Sequence, residues 1–171
     1  MKRLIILLLL AVGMSILSNS KEYVEIPASS IRMRVIANSD SEEDQTKKRE
    51  VKSILEKKLY ELVGNLKDEE EVDEVIKGKK EEIDSYVQQE MLKIDIDEVF
   101  SSNYGLNYFP EKEFKGLMYK AGNYRSFVVT LGKGEGENWW CVLYPPLCLV
   151  DEHKGDYEYH YLIKDMLNKY N

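Results

Sequence analysis

Several residue types are scarce in this chain. It contains two cysteines, two histidines and four prolines among 171 residues. This leaves few nucleophilic or metal-ligating side chains, and no local signature of a known catalytic site surrounds them. After residue 17 there is no long apolar run, so no later segment is predicted to span a membrane. Internal repeats and low-complexity segments are also absent, which excludes a repeat array.

Basic residues are fewer than acidic ones. The chain has 24 lysines and arginines against 31 aspartates and glutamates, for a net charge of −7. Residues 1–20 carry Lys2, Arg3 and no acid, so the remainder has 22 basic and 31 acidic residues and a net charge of −9. Such a chain does not attract phosphate backbones or anionic lipids. We therefore predict no nucleic-acid partner, and membrane contact only through the N-terminal segment or a protein partner.

The N-terminus has the pattern of an export signal. Lys2 and Arg3 precede an apolar run over residues 4–17, which is short for a transmembrane helix. Ser18 and Ser20 place small residues at positions −3 and −1 of a cleavage site. The segment is predicted to be a cleaved export signal or an uncleaved N-terminal anchor.

We divide the chain into three parts. Residues 1–20 are the signal or anchor, residues 21–30 a linker, and residues 31–171 a single domain. About 150 residues are enough to bury roughly 70% of the surface that the unfolded chain exposes.

The order of periodicities predicts an α+β fold. A half-exposed strand over 31–36 is followed by two helices, one ending near Val63 and one from Asp68 to Met91. Aromatic and β-branched segments then predict strands, and a last amphipathic helix covers 157–170. The strand segments are 97–108, 114–119, 124–131 and 139–149. We predict a largely antiparallel sheet covered on one side by two consecutive N-terminal helices and the C-terminal helix.

Local signals mark the ends of these elements. Ser39 with Glu42, and Asp68 with Glu71, have the spacing of capping boxes. Gly78 weakens the middle of the second helix. The GKGEG segment at 132–136 does not have the spacing of a phosphate-binding loop, and Glu135 within it and Glu137 just after it would repel an anion. It is predicted to be a hairpin turn or bulge with positive φ.

The segment 132–148, GKGEGENWWCVLYPPLC, contains both tryptophans, both cysteines and two of the four prolines. Large rings are costly in water unless they pack or bind a partner. The segment is therefore either a core strand or a recognition surface. Side chains alternate along a strand, so only one of Trp139 and Trp140 is expected to point inward.

The two cysteines leave alternatives open. Cys141 and Cys148 are an even number in an exported chain, which permits a disulfide; two buried free thiols are the other arrangement. A thiolate of either cysteine with His153 or His160 would suit an exported cysteine hydrolase, which is the alternative function. The same residues match no metal-ligand spacing. We predict no catalytic residues, no metal site and no cofactor.

Three sequence blocks resemble the stage II sporulation protein R family of endospore-forming bacteria. The resemblance covers about residues 31–151, and its last block is rich in rare residues. The first block is RVIANSD at 34–40 with Asp44 and Gln45; the middle one is FP at 109–110 with Lys112 and AGNYR at 121–125; the last is GEGENWWCVLYPPLC at 134–148.

The resemblance implies a messenger and not an enzyme. Members of this family are made in the forespore and exported into the space between the forespore and mother-cell membranes. There they activate a membrane-embedded aspartic protease of the mother cell, which processes the precursor of an early mother-cell sigma factor.

For such a ligand we predict that aromatic and arginine side chains contact the receptor, because these residues commonly anchor interfaces. The predicted partner-binding residues are Asn138, Trp139, Trp140, Tyr144, Pro145, Pro146 and Arg125.

Overall fold

The computed structural model describes residues 24–115, 117–149 and 156–170. The predicted export signal lies outside these ranges. Within them, every helix is too short or too polar to cross a membrane.

The described residues form four α-helices and seven strands. The helices are α1 (Glu42–Val63), α2 (Glu69–Gly78), α3 (Lys80–Lys93) and α4 (Asp156–Tyr170), with a short 3-10 helix at Leu147–Leu149. The strands are β1 (Val24–Glu25), β2 (Ile31–Ile36), β3 (Phe100–Phe109), β4 (Lys112–Phe114), β5 (Leu117–Tyr119), β6 (Gly122–Leu131) and β7 (Asn138–Tyr144).

The strands form two sheets. The larger has the order β3-β6-β2-β7, in which β2 runs parallel to β6 and antiparallel to β7, and β3 is antiparallel to β6. The smaller has the order β1-β5-β4, with a parallel and an antiparallel pair. The α+β fold with a mostly antiparallel sheet is confirmed.

The N-terminal strand β2 lies between β6 and β7. The two strands joined by the glycine-rich segment therefore do not pair with each other, and the predicted hairpin is wrong. The predicted positive φ is present at Gly132 (51°) and Gly134 (67°). The glycines serve a longer connection that passes over the end of β2.

Both faces of the larger sheet are covered. On one face, Met33 and its neighbours on β2 and β6 pack against α1, α2 and α3. On the other face, Val142 packs with α4 and the smaller sheet. The α4 residues in this second core are Tyr159, Ile163 and Leu167. The expectation that helices cover only one side is wrong, and β2 is buried and not half-exposed, because a second layer packs on its other face.

Helix boundaries differ from prediction in two places. Ser41, and not Ser39, caps α1 by accepting the Asp44 N–H. Asp68 caps α2 as predicted, with its Oδ1 accepting the Glu71 N–H at 3.0 Å. The single helix predicted up to Met91 is two helices, because the backbone leaves helical geometry at Lys79, directly after Gly78.

Part of the segment expected to be a linker belongs to the folded domain. Strand β1 pairs with β5, and Ile26 is buried in the second core. The few apolar residues of this segment lie beside a serine-rich stretch, and so short a pattern does not predict a strand from the sequence.

Candidate functional site

Strand β7 forms one edge of the larger sheet. Its inner side pairs with β2, and no described strand pairs with its outer side. Trp139 and Cys141 point to the face that α1 covers, whereas Trp140 and Val142 point to the opposite face. The most distinctive sequence block thus becomes an edge strand with one tryptophan on each face.

Both tryptophans are half-buried. Trp139 packs against the core under α1, with Lys52 Nζ 4.5 Å from its ring centroid. Trp140 makes edge-to-face contacts with Phe109 and Tyr119, with ring centroids 5.3 and 5.1 Å apart. The opposite orientation predicted from alternation is correct. The expectation that only one points inward is wrong, because both faces of the sheet carry a packed layer.

The C-terminal end of the predicted surface is not exposed. Tyr144, Pro145 and Pro146 are buried. The Tyr144 ring packs on Tyr170 of α4, its hydroxyl donates to the Lys67 carbonyl, and burial raises its pKa. These three residues therefore hold the end of β7 in place, which removes them from the predicted contact surface. The accessible part of the predicted contact surface is Asn138 together with the two half-exposed tryptophans.

Arg125 lies apart from this edge. It projects from β6, so β2 separates it from β7. Its Nη1 lies 3.4 Å from a Glu69 carboxylate oxygen and 3.6 Å from one of Asp73, both on α2. The structure does not bring Arg125 together with the aromatic block, and its exposed guanidinium already has partners.

Cys141 and Cys148 are joined in a disulfide, with their Cα atoms 5.5 Å apart. In this state neither sulfur is a thiolate, so neither is a nucleophile or an anionic metal ligand. Glu56 places a carboxylate oxygen within 4.8 Å of both sulfurs. His153 and the side chain of His160, which the hydrolase alternative requires, lie outside the described part of the chain.

Residues 37–40 hold the glycine-rich connection, a contact that the sequence analysis missed. Asn38 Oδ1 accepts the Lys133 N–H at 2.9 Å, and the Asn38 carbonyl accepts the Glu135 N–H at 3.1 Å. The Ala37 carbonyl accepts the Gly136 N–H at 3.0 Å. We call residues 37–40 and 132–137 together the clamp. It joins the first and last sequence blocks directly.

Asp44 connects the clamp to α1. Its Oδ2 accepts hydrogen bonds from Ser39 Oγ at 2.5 Å and Asn38 Nδ2 at 2.9 Å. These hydrogen bonds hold the pKa of the Asp44 carboxyl below its ordinary value, and the one from Ser39 has the largest effect. Lys48 Nζ donates to the Glu137 carbonyl at 3.1 Å. The N-terminal turns of α1 therefore fix where β7 begins.

Two features of the sequence could have indicated the clamp: the short polar side chains at 38–40 and the glycine-rich segment at 132–136. Asn and Asp side chains commonly accept backbone N–H groups in turns. The partner segment, however, lies about a hundred positions away, and one sequence does not show which glycines they meet.

Comparison with known proteins identifies the same family as the three sequence blocks. The family model for stage II sporulation protein R matches residues 27–154, which include the clamp and β7. Stage II sporulation protein R of Bacillus subtilis (strain 168) is 38% identical over 133 residues, which are 78% of this chain and 59% of the relative. The chain thus spans about six tenths of that relative's length. No solved structure is significantly similar to it.

Proposed function

The chain belongs to the stage II sporulation protein R family, and from that membership we propose that it is an exported sporulation signal. It leaves the forespore and acts in the space between the forespore and mother-cell membranes. There it activates a membrane-embedded aspartic protease of the mother cell by contact, and the protease processes the precursor of an early mother-cell sigma factor. In this proposal the chain is a ligand and has no catalytic role.

The observation that carries the contact mechanism is the geometry of β7. The strand is fixed at its start by the clamp and near its end by the disulfide and the buried Tyr144. Between these points it presents Asn138, the two half-exposed tryptophans and an outer edge that pairs with no described strand. Aromatic anchors and free strand edges are both common means of protein recognition. A rigid edge loses little conformational entropy when a receptor binds it.

The disulfide also argues against the hydrolase alternative. A cysteine hydrolase needs a free thiolate within reach of a base, and the sulfurs of the chain's two cysteines are bonded to each other. In the proposed ligand, the disulfide instead closes the end of β7 onto the following 3-10 helix.

Co-expression in a non-sporulating bacterium tests the proposal. The full chain is produced with the receptor protease and the sigma-factor precursor, and cleavage of the precursor is followed by immunoblot. We expect cleavage only when the chain and the receptor are both present. Folded, exported chain that produces no cleavage, or cleavage without the receptor, would contradict the proposal.

Two cysteine variants separate the ligand from a hydrolase. Cys141→Ser and Cys148→Ser should behave alike, and both should support cleavage at temperatures where circular dichroism shows them folded. One inactive variant beside an active one, with both folded, would indicate thiol chemistry.

A further inference from the structure

Strand β3 forms the edge of the larger sheet that lies opposite β7. It is ten residues long, and no described strand pairs with its outer side. The backbone N–H and C=O groups on that side therefore lack a strand partner within the described ranges. Such an edge is a template for another strand, and natural proteins usually protect it by a short length, a charged residue, a proline or a bulge.

None of these protective features occurs in β3. Its sequence, FSSNYGLNYF, contains no charged residue and no proline, although 32% of the chain is charged. Its pairing with β6 continues through all ten residues without a register shift, so no bulge bends the edge away. By contrast, the edge strand β4 of the smaller sheet is three residues long and includes Lys112 and Glu113. The composition of β3 therefore leaves its edge open to pairing.

Two large apolar side chains on this strand are exposed. Leu106 is 72% exposed and Tyr108 is 62% exposed. They are two positions apart on β3 and therefore lie on the same face. The neighbouring strand β6 has a single charged side chain, Arg125, which is paired with Glu69 and Asp73 on α2. The strand pair at this edge thus offers apolar and hydrogen-bonding groups, and its one charge is already paired.

We propose that β3 pairs antiparallel with β3 of a second copy of this chain, about a two-fold axis. An identical strand matches this edge in length and polarity, as a two-fold interface requires. The chain has a net charge of −7, so two copies repel each other over most of their surfaces, and an uncharged edge is where they can approach. Pairing satisfies the outer N–H and C=O groups of both edges and brings Leu106 and Tyr108 of each copy beside the strand of the other.

Symmetry favours this arrangement over pairing of β3 with β7 of another copy. A β3–β7 contact leaves one free β3 and one free β7 and continues into an open fibre, whereas a β3–β3 contact closes after two copies. The closed dimer has one sheet of eight strands, with the two β7 strands at its outer edges about 34 Å apart. The strand that we propose to contact the receptor thus stays accessible and is presented twice.

Analytical ultracentrifugation of the full chain in a density-matched detergent tests the proposal. It needs no receptor, so its result is independent of the proposed signalling function. We expect a dimer, which Leu106→Lys should weaken at least about tenfold because it places like charges on both paired strands. Tyr161→Lys is the matched control, because Tyr161 is 63% exposed on α4, and it should leave the dimer unchanged. A monomeric wild type, open polymers, or a Leu106→Lys variant that is folded by circular dichroism and dimerises like wild type would overturn the proposal.

Photo-cross-linking determines the direction of the paired strands and does not depend on the lysine variants. A benzophenone amino acid replaces Ser101, an exposed residue near the start of β3. Mass spectrometry should locate its cross-link at the C-terminal end of β3 in the other copy. A cross-link close to position 101 of the other copy would show parallel strands and overturn the two-fold arrangement. A chain that is monomeric alone and cross-links from position 101 to the co-expressed receptor would assign this edge to the receptor and also overturn the proposal.

Discussion

Asn38 and Lys133 are separated by 95 positions in the chain, yet Asn38 Oδ1 accepts the Lys133 N–H at 2.9 Å. This hydrogen bond belongs to the clamp, which fastens the connection after β6 to the end of β2. The same asparagine donates to Asp44 at the start of α1. One side chain thus links a strand end, a helix start and the segment that leads into β7.

The close packing of Gly136 in the clamp predicts that an alanine there destabilises the fold, whereas an alanine at Gly78 does not. A Cβ on Gly136 would lie 2.2 Å from the Ser39 carbonyl oxygen, so the Gly136→Ala substitution would push the backbone segments around Ser39 and Gly136 apart. We expect it to lower the free energy of unfolding by about 2–3 kcal/mol, measured by urea denaturation. Gly78→Ala is the control, because its Cβ would meet nothing within 4 Å, and it should be neutral or stabilising by up to about 1 kcal/mol. Equal losses for the two variants would contradict this role of the clamp.

Acid should weaken the clamp through Asp44. Hydrogen bonds from Ser39 and Asn38 lower the pKa of this carboxyl in the folded state below its ordinary value of 3.8. Its contribution to stability is therefore complete above that value and is lost as pH falls through the folded-state pKa. The difference in unfolding free energy between wild type and Asp44→Asn should be constant near neutral pH and shrink below about pH 4. A difference that stays unchanged down to pH 2.5 would show that Asp44 does not act through its charge.

The disulfide should contribute stability and not chemistry. It closes a short ring of about eight residues, for which loop entropy gives about 2–3 kcal/mol. Cys141→Ser, Cys148→Ser and the double variant should lose similar amounts of unfolding free energy, since each removes the same bond. Reducing agent should bring wild type to the level of the variants. Wild type that keeps its full stability when reduced would contradict this assignment.

Sequence patterns predicted the parts of the fold that depend on local periodicity. The apolar face of α4 and the Asp68 cap are examples, because neighbouring residues alone determine them. The position of β2 between β6 and β7 was not predictable in this way. A glycine-rich turn between two apolar segments usually makes a hairpin, and only long-range packing shows that another strand lies between them.

Burial at the candidate site depended on the same long-range packing. Tyr144 is buried in the main core, and one of the rings packed on it is that of Tyr170, which lies 26 positions later in α4. Arg32 alternates with apolar residues, a pattern typical of a strand with one exposed face. It is buried because the smaller sheet and α4 cover that face. The sequence could identify the aromatic block as important, but could not separate its accessible residues from those that fix the strand.

Photo-cross-linking from β7 is the most direct test of receptor contact. A benzophenone amino acid replaces Asn138 in the full chain, and in a matched control it replaces Leu106, which is 72% exposed on the opposite edge strand β3. Each chain is co-expressed with the receptor protease and the sigma-factor precursor, and processing is confirmed before irradiation. We predict a cross-link to the receptor from position 138 and none from position 106. A cross-link from position 106 alone, with processing intact in both chains, would contradict binding through β7.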